Sequence, residues 1–171
     1  MNSQPRKTQD ATRGRAVEHL HRRIQGAGES DTAWRIVTVV ARLALAAAFL
    51  SAVADRLGLW GPFGTNTVAW GTFDAFVTYT GNLVPYLSGG PLRAAAVLAT
   101  VAELALGLTL LLGVAVRWSA WLSAALLLVF GLSMAVFVHP ENPLAFSVFS
   151  AMSASVMLAM APRQAMVFTV D

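Results

Sequence analysis

The fold is decided by residues 92–116, which read LRAAAVLATVAELALGLTLLLGVAV. Nearly all side chains in this run are apolar, and the one charge in its interior is Glu103. A helix rises about 1.5 Å per residue, so the run is long enough to cross a bilayer hydrocarbon core of about 30 Å. Because lipid offers no partner to backbone N–H and C=O groups, such a run must be helical. The stretch therefore predicts a transmembrane helix.

Three further apolar runs resemble it in length and composition. They cover residues 33–54, 118–138 and 144–161. Each is long enough to cross the hydrocarbon core as a helix. Together with the first run they predict an all-α, integral membrane four-helix bundle that forms one domain, residues 33–161.

The overall composition agrees with a membrane protein. Of the 171 residues, 56% are hydrophobic and 12% are charged, whereas soluble domains are about 45–50% apolar and about 25% charged. The chain contains no cysteine and three histidines. This excludes disulfides, thiolate metal sites and iron–sulfur clusters within the chain. No metal site and no covalently bound cofactor is predicted.

Basic residues are concentrated before the first apolar run. Seven of the 12 Lys and Arg residues lie within residues 1–35, and the formal net charge is +3. No DNA-reading motif accompanies them, so the expected partner is the lipid bilayer and not nucleic acid. Beside a hydrophobic span, basic residues mark the cytoplasmic flank. Residues 1–32 are therefore expected to form a disordered cytoplasmic tail with a secondary attraction to anionic lipid, and residues 162–171 a second, short cytoplasmic tail.

The same rule orients the connecting segments. It places the turn at Arg117 on the cytoplasmic side, and residues 55–91 and the loop at His139 on the outer side. Within residues 66–80, apolar and aromatic side chains recur mainly every three and four positions. This spacing predicts a short amphipathic helix, which either lies on the outer bilayer surface or caps the bundle.

Two charges lie near the centres of their runs, Arg42 in the first and Glu103 in the second. Antiparallel packing is expected to bring both near the bilayer midplane, where a lone Arg costs about 2.5–3.5 kcal/mol. The sequence therefore predicts a buried Arg42–Glu103 ion pair. Two interpretations stay open: the pair only fixes helix packing, or Glu103 titrates or orients a ligand. Asp55 and Arg56, at the end of the first helix, are interpreted as solvated interfacial charges.

Small polar side chains occur on the same helices as the predicted pair. Thr38 and Thr100 flank it, and Ser147, Ser150 and Ser153 recur every three residues in the last run. Small residues let helices approach closely and serines form hydrogen bonds across them. The alternative interpretation is that these five residues line a hydrophilic pocket at the bundle centre.

The chain resembles the DoxX family of small four-helix bacterial membrane proteins over about residues 35–161. Arg42 and Glu103 match buried charged positions of that family, whereas Asp55 and Arg56 depart from its more usual Gly and Lys. The segments that carry the resemblance are 100–107 (TVAELALG), 110–113 (LLLG), Arg117 with Ala120, 42–43 (RL), 49–52 (FLSA) and 143–149 (PLAFSVF).

Proteins of this kind include the membrane subunit of a thiosulfate:quinone oxidoreductase and others linked to oxidative-stress complexes. The resemblance implies a multi-pass protein of the bacterial cytoplasmic membrane that serves as an accessory or anchor subunit of a redox or oxidative-stress complex. A quinone and a redox partner subunit are the expected associates, and the resemblance assigns no catalytic residues and no autonomous activity. Two alternatives stay open: a structural or lipid-linked protein without catalysis, and a small proton-linked transporter that uses Glu103. A homo-oligomer is a further expectation, since it would cover polar faces of so small a bundle.

Overall fold

The computed structural model describes residues 5–62, 68–167 and 169–170, and of residues 5–30 it describes only the backbone. This part of the chain is helical apart from its turns and loops and an isolated parallel bridge between Val114 and Val170. A π-helical segment, Met134–Val138, extends the fourth helix, and a 3₁₀ turn, Arg163–Ala165, follows the sixth. The α-helices are α1 Pro5–Arg56, α2 Phe73–Leu83, α3 Gly89–Leu112, α4 Val116–Ser133, α5 Asn142–Ala145 and α6 Val148–Met160.

Three helical stretches of the described chain are long and apolar enough to cross a membrane. They are Asp31–Arg56, Gly89–Leu112 and Val116–Val138, and they confirm the prediction of an all-α membrane protein. The run at 144–161, predicted as one continuous helix, is instead divided. Ser147 separates α5 from α6 with a left-handed φ of +54°, and because every neighbour is apolar, the sequence pattern gives no sign of this break. A fourth crossing remains a prediction.

The first helix begins earlier than the sequence analysis predicts. The backbone of α1 is helical from Pro5, so residues 5–32 continue the helix of the first span where a disordered tail is expected. Extension of an existing helix needs no new nucleus, which lowers its cost. Residues 1–4, and the side chains that would contact anionic lipid, lie outside the described part.

The turn between α3 and α4 lies before Arg117, not at it. Gly113 ends α3 in the left-handed conformation, with φ +76°, as is common where a helix stops. Arg117 is already in the first turn of α4. The C-terminal segment closes this end of the bundle, because Val170 donates its N–H to Gly113 O and accepts one from Ala115, both at 2.8 Å. We call this the turn end of the bundle, and the opposite end the α2 end.

The helix predicted over residues 66–80 is α2, displaced toward the C-terminus. Thr72 caps it, and its side chain accepts the N–H of Ala75; residues 63–67 lie outside the described part. The buried side chains of α2 are Phe76, Thr80 and Leu83. The helix packs on α3 and on the π-helical segment, in agreement with the interpretation that it caps the bundle.

Two close helix pairs build the core, α1 with α3 and α4 with α6. In the first pair Gly107 of α3 lies against Leu50 and Phe49 of α1, where an added Cβ would come within 2.9 Å of Leu50 Cγ. Small residues allow such close approach of membrane helices. The central core is formed by Leu45, Ala46, Phe49, Leu106, Leu110, Val116, Ala120, Leu158 and Ala159.

We expect Gly107→Ala to destabilise the protein by about 1–3 kcal/mol, the usual cost of overpacking. The methyl group would meet the branch point of Leu50, which has little freedom to move away. The matched control is Gly90→Ala in the same helix, where a Cβ meets nothing within 4 Å, and which should leave stability unchanged or slightly raised. Thermal unfolding midpoints in detergent measure both, and equal midpoints for the two variants would contradict the close contact.

Candidate functional site

A buried ion pair joins Arg56, the last residue of α1, to Glu103 of α3. Nη2 of Arg56 donates to both carboxylate oxygens of Glu103, at 2.8 and 2.9 Å. Nη1 donates to Oγ1 of Thr100 at 3.0 Å, and the Thr100 hydroxyl donates a hydrogen bond to Ala96 O at 2.9 Å. Each of the two charged side chains is 3% exposed. Such a pair is strongly destabilised when one partner is lost, because the other charge stays buried.

Aromatic rings cover the guanidinium of Arg56. Its Cζ lies 3.6 Å from the ring centroid of Phe76 and 5.6 Å from that of Trp70. The two rings contact each other edge to face at 5.5 Å. The negative faces of aromatic rings attract a cation, most strongly away from water. The charge of Arg56 is thus balanced by Glu103 on one helix and by the rings of α2 and its preceding loop.

Asp55 holds that loop in place. Its carboxylate accepts three backbone N–H groups, from Ala69 at 3.2 Å, Trp70 at 3.0 Å and Gly71 at 3.3 Å. Bonds to an ionised carboxylate are stronger than those between neutral groups. Neighbouring residues of one helix end therefore act together, since Asp55 fixes the loop that brings Trp70 onto Arg56.

A cavity of about 220 Å³ lies beside the ion pair. Its walls are mainly apolar, and its polar groups come from Arg56, Glu103, Tyr79 and Thr80. The cavity is lined by Leu45, Ala48, Phe49, Ala52, Arg56, Trp70, Phe76, Tyr79, Thr80, Leu83, Ala99, Glu103, Leu127, Phe130, Met134, Phe146, Val148 and Ala151.

Two polar atoms of the cavity-lining residues lack a partner. Nε of Arg56 and the hydroxyl of Tyr79 are both buried and make no hydrogen bond within the described part of the chain. Burial raises the pKa of Tyr79 above its ordinary value, so the phenol keeps its proton at neutral pH. A buried donor without a partner is costly. Both residues that carry these unpartnered donors line the cavity.

The predicted Arg42–Glu103 pair is wrong. Arg42 and Arg56 lie 14 positions apart on one continuous helix, about 21 Å along its axis, and it is Arg56 that reaches Glu103. Arg42 is buried near the turn end, where its Nη1 donates to Val167 O at 3.3 Å. The prediction paired the centres of two runs, whereas the helices are offset, so that the end of α1 lies beside the middle of α3.

The predicted hydrophilic pocket does not form either. Thr38 lies at the turn end and donates to Ala165 O at 2.8 Å, while Thr100 belongs to the ion pair. Ser147, Ser150 and Ser153 are all exposed on the outside of the bundle. Ser147 precedes α6 and Ser150 and Ser153 lie within it, and none of the three lines the cavity beside Glu103.

Asp55 and Arg56 are the residues that sequence reasoning missed. They were interpreted as solvated, yet they are 5% and 4% exposed. One signal pointed the other way: residues 57–60, Leu-Gly-Leu-Trp, are apolar. A helix that ends at an aqueous interface is ordinarily followed by polar residues, so an apolar continuation indicates that the charges lie inside.

No cluster that would hold a metal ion is found in the described chain, where no three His, Cys, Asp or Glu side chains come together. His139 and Glu141 approach to 3.9 Å in an exposed loop. Two ligands are too few for a zinc site. The groups available for chemistry are thus the ion pair and the donors beside the cavity.

Comparison with known proteins finds no matching family, no matching curated protein and no matching solved structure.

The pairing makes a prediction about rescue. Glu103→Leu leaves Arg56 buried without its partner and should cost about 3–5 kcal/mol. Adding Arg56→Leu removes the orphaned charge and should restore most of that loss. Adding Arg42→Leu instead should restore none. Thermal unfolding of the two double variants in detergent decides between the pairs, and rescue by Arg42→Leu would overturn the assignment.

Proposed function

We propose that the chain is a membrane subunit that binds a quinone head group in the cavity beside Arg56 and Glu103, as an accessory or anchor part of a membrane redox or oxidative-stress complex. The observation that carries the proposal is the pair of buried donors without partners, Arg56 Nε and the Tyr79 hydroxyl, beside an otherwise apolar space. A quinone has an apolar ring and carbonyl oxygens that only accept hydrogen bonds. A quinone therefore matches both the apolar walls and the two donors.

The shape of the site supports a small lipophilic ligand. Binding sites for such ligands are mostly apolar, with a few polar groups that fix orientation. Trp70 and Phe76 are among the lining residues, and aromatic side chains bind planar rings by stacked or edge-to-face contacts. The cavity walls include Ala48 and Phe146, which are exposed on the bundle surface. A ligand dissolved in the bilayer would enter from that side.

Electrons for a bound quinone would come from a partner subunit. The chain has no cysteine for an iron–sulfur cluster or a thiol relay, so we assign the redox centre to another chain and the quinone site to this one. In this arrangement the site contains one positive side chain, Arg56, and one negative side chain, Glu103, so its net charge is zero. The proposal places the protein in the bacterial cytoplasmic membrane with four crossings and both termini cytoplasmic, as basic residues at the turn end favour.

The DoxX resemblance forms part of this proposal. Its strongest segment, residues 100–107, contains Glu103 and Thr100, both of which contact Arg56. The segment that carries the resemblance therefore belongs to the site.

Tyr79→Phe tests the quinone site directly. Removing one hydrogen bond should weaken binding of a short-chain ubiquinone analogue about three- to tenfold, while the stability of the ligand-free protein stays equal or rises, because an unpaired buried hydroxyl is lost. Quenching of tryptophan fluorescence, with Trp70 in the cavity wall, follows the binding.

Two controls sharpen that measurement. The first is Tyr86→Phe, since Tyr86 is 72% exposed and contacts Phe137 edge to face, and this variant should bind the analogue like the unaltered protein. The second is a ligand with the same tail on a ring without carbonyl groups. Because this ligand accepts no hydrogen bond from Tyr79, Tyr79→Phe and Tyr86→Phe should bind it equally. If that ligand binds the unaltered protein as tightly as the quinone does, the cavity recognises apolar bulk only and the proposal fails.

The accessory role has its own test. Native mass spectrometry of the protein extracted from its own membranes in mild detergent should show a bound quinone and a cofactor-bearing subunit. A chain that carries lipid alone would favour the structural or lipid-linked alternative instead.

A further inference from the structure

A second recess lies at the turn end, far from the quinone cavity. It has a volume of about 200 Å³ and is lined by Ala115, Arg117, Trp118, Arg163 and Met166. Two of these five residues are cations, and none of the described residues that line the recess is acidic. The site therefore presents positive charge around a space large enough for a small anionic group.

The two arginine side chains differ in the hydrogen bonds that they make. Arg117 is half-buried and directs Nη2 to Ala161 O at 2.8 Å, which holds the guanidinium at the rim of the recess. The side chain of Arg163 is exposed and makes no hydrogen bond or ion pair within the described residues. One cation is thus fixed and the other is available to an incoming anion. The recess also lies at the start of α4, where the helix dipole adds partial positive charge.

An apolar strip leads away from the recess along α4. Trp118 is 72% exposed, and the residues that follow it on the same face, Leu122, Ala125, Val129 and Leu132, are exposed as well. From Trp118 to Leu132 the strip extends for about 21 Å, somewhat more than one leaflet of a hydrocarbon core about 30 Å thick. Exposed tryptophan is typical of the level at which lipid head groups begin.

We propose that this recess binds one anionic glycerophospholipid, with its phosphate between Arg117 and Arg163 and an acyl chain along the strip from Trp118 to Leu132. Charge complementarity selects the phosphate, and the apolar strip selects a lipid over a free phosphate ion, which would gain nothing from it. The site is separate from the quinone cavity, and the proposal stands whether or not a quinone binds.

The test uses the full chain in detergent, titrated with phosphatidylglycerol or with phosphatidylcholine of the same acyl chains and followed by native mass spectrometry. We expect tighter binding of phosphatidylglycerol, and Arg163→Gln should weaken it about fivefold without changing the binding of phosphatidylcholine. Because Arg163 is exposed, its replacement should leave the fold intact.

The matched control is Arg93→Gln. Arg93 is an exposed arginine near the α2 end, paired with Asp74 at 2.8 Å, so its loss changes the net charge equally but lies away from the recess. Equal weakening by both variants would mean that only overall charge matters, and would overturn the proposal. Equal affinity for the two lipids, or displacement of phosphatidylglycerol by millimolar inorganic phosphate, would overturn it as well.

A second measurement follows the acyl chain. Phosphatidylglycerol brominated on its chains should quench the fluorescence of Trp118, obtained as the difference between the unaltered protein and Trp118→Phe. The quenching should fall in Arg163→Gln and persist in Arg93→Gln. Absence of quenching of Trp118 by the brominated lipid would show that the acyl chain does not follow α4.

Discussion

The structure depends on one charge that cannot remain alone in an apolar interior. Arg56 stands at the last position of α1, and the two terminal nitrogens of its guanidinium donate to the carboxylate of Glu103 and the hydroxyl of Thr100, while two aromatic rings lie over its charge. Removing any charged group from water is expensive, and only good geometry repays the cost. The contact therefore fixes which residue of α1 lies beside which residue of α3.

That register has consequences for the rest of the chain. Because the last residue of α1 lies beside Thr100 and Glu103 in the middle of α3, the N-terminal part of α3 extends past the end of α1. The chain fills this space with α2, whose buried side chains pack on α3 and the π-helical segment. The cavity lies where α1 stops and α2 begins, so the offset that buries the ion pair also creates the binding site proposed for a quinone.

The helices could be predicted from the sequence because the bilayer acts on each run separately. Length and apolar composition suffice to identify a crossing, as residues 92–116 show, and the spans at Asp31–Arg56, Gly89–Leu112 and Val116–Val138 agree with them within a few residues. The pairing of charges could not be predicted in the same way. It depends on how far one helix slides along another, which is set by contacts such as Gly107 against Leu50 that no single run contains.

The break at Ser147 was hidden for a related reason. Left-handed backbone at a serine is a local cost that the surrounding packing must repay, and residues 144–161 read as an unbroken apolar run. The solvated interpretation of Asp55 and Arg56 failed because charge at a helix end usually does indicate water. Here the apolar residues that follow, Leu57 to Trp60, indicate that the two charges lie inside the protein.

The C-terminal segment also affects the order in which the protein assembles. The residues that complete the turn end, Ala165, Val167 and Val170, follow every helix in the chain, yet they bind Thr38 and Arg42 of α1 and the turn after α3. During synthesis these bonds to the first helix can form only after the last helix has left the ribosome. Synthesis that stops before Ala165 would therefore leave α1 held to α3 by Arg56 and Glu103 but without the bonds of Thr38 and Arg42 at the turn end.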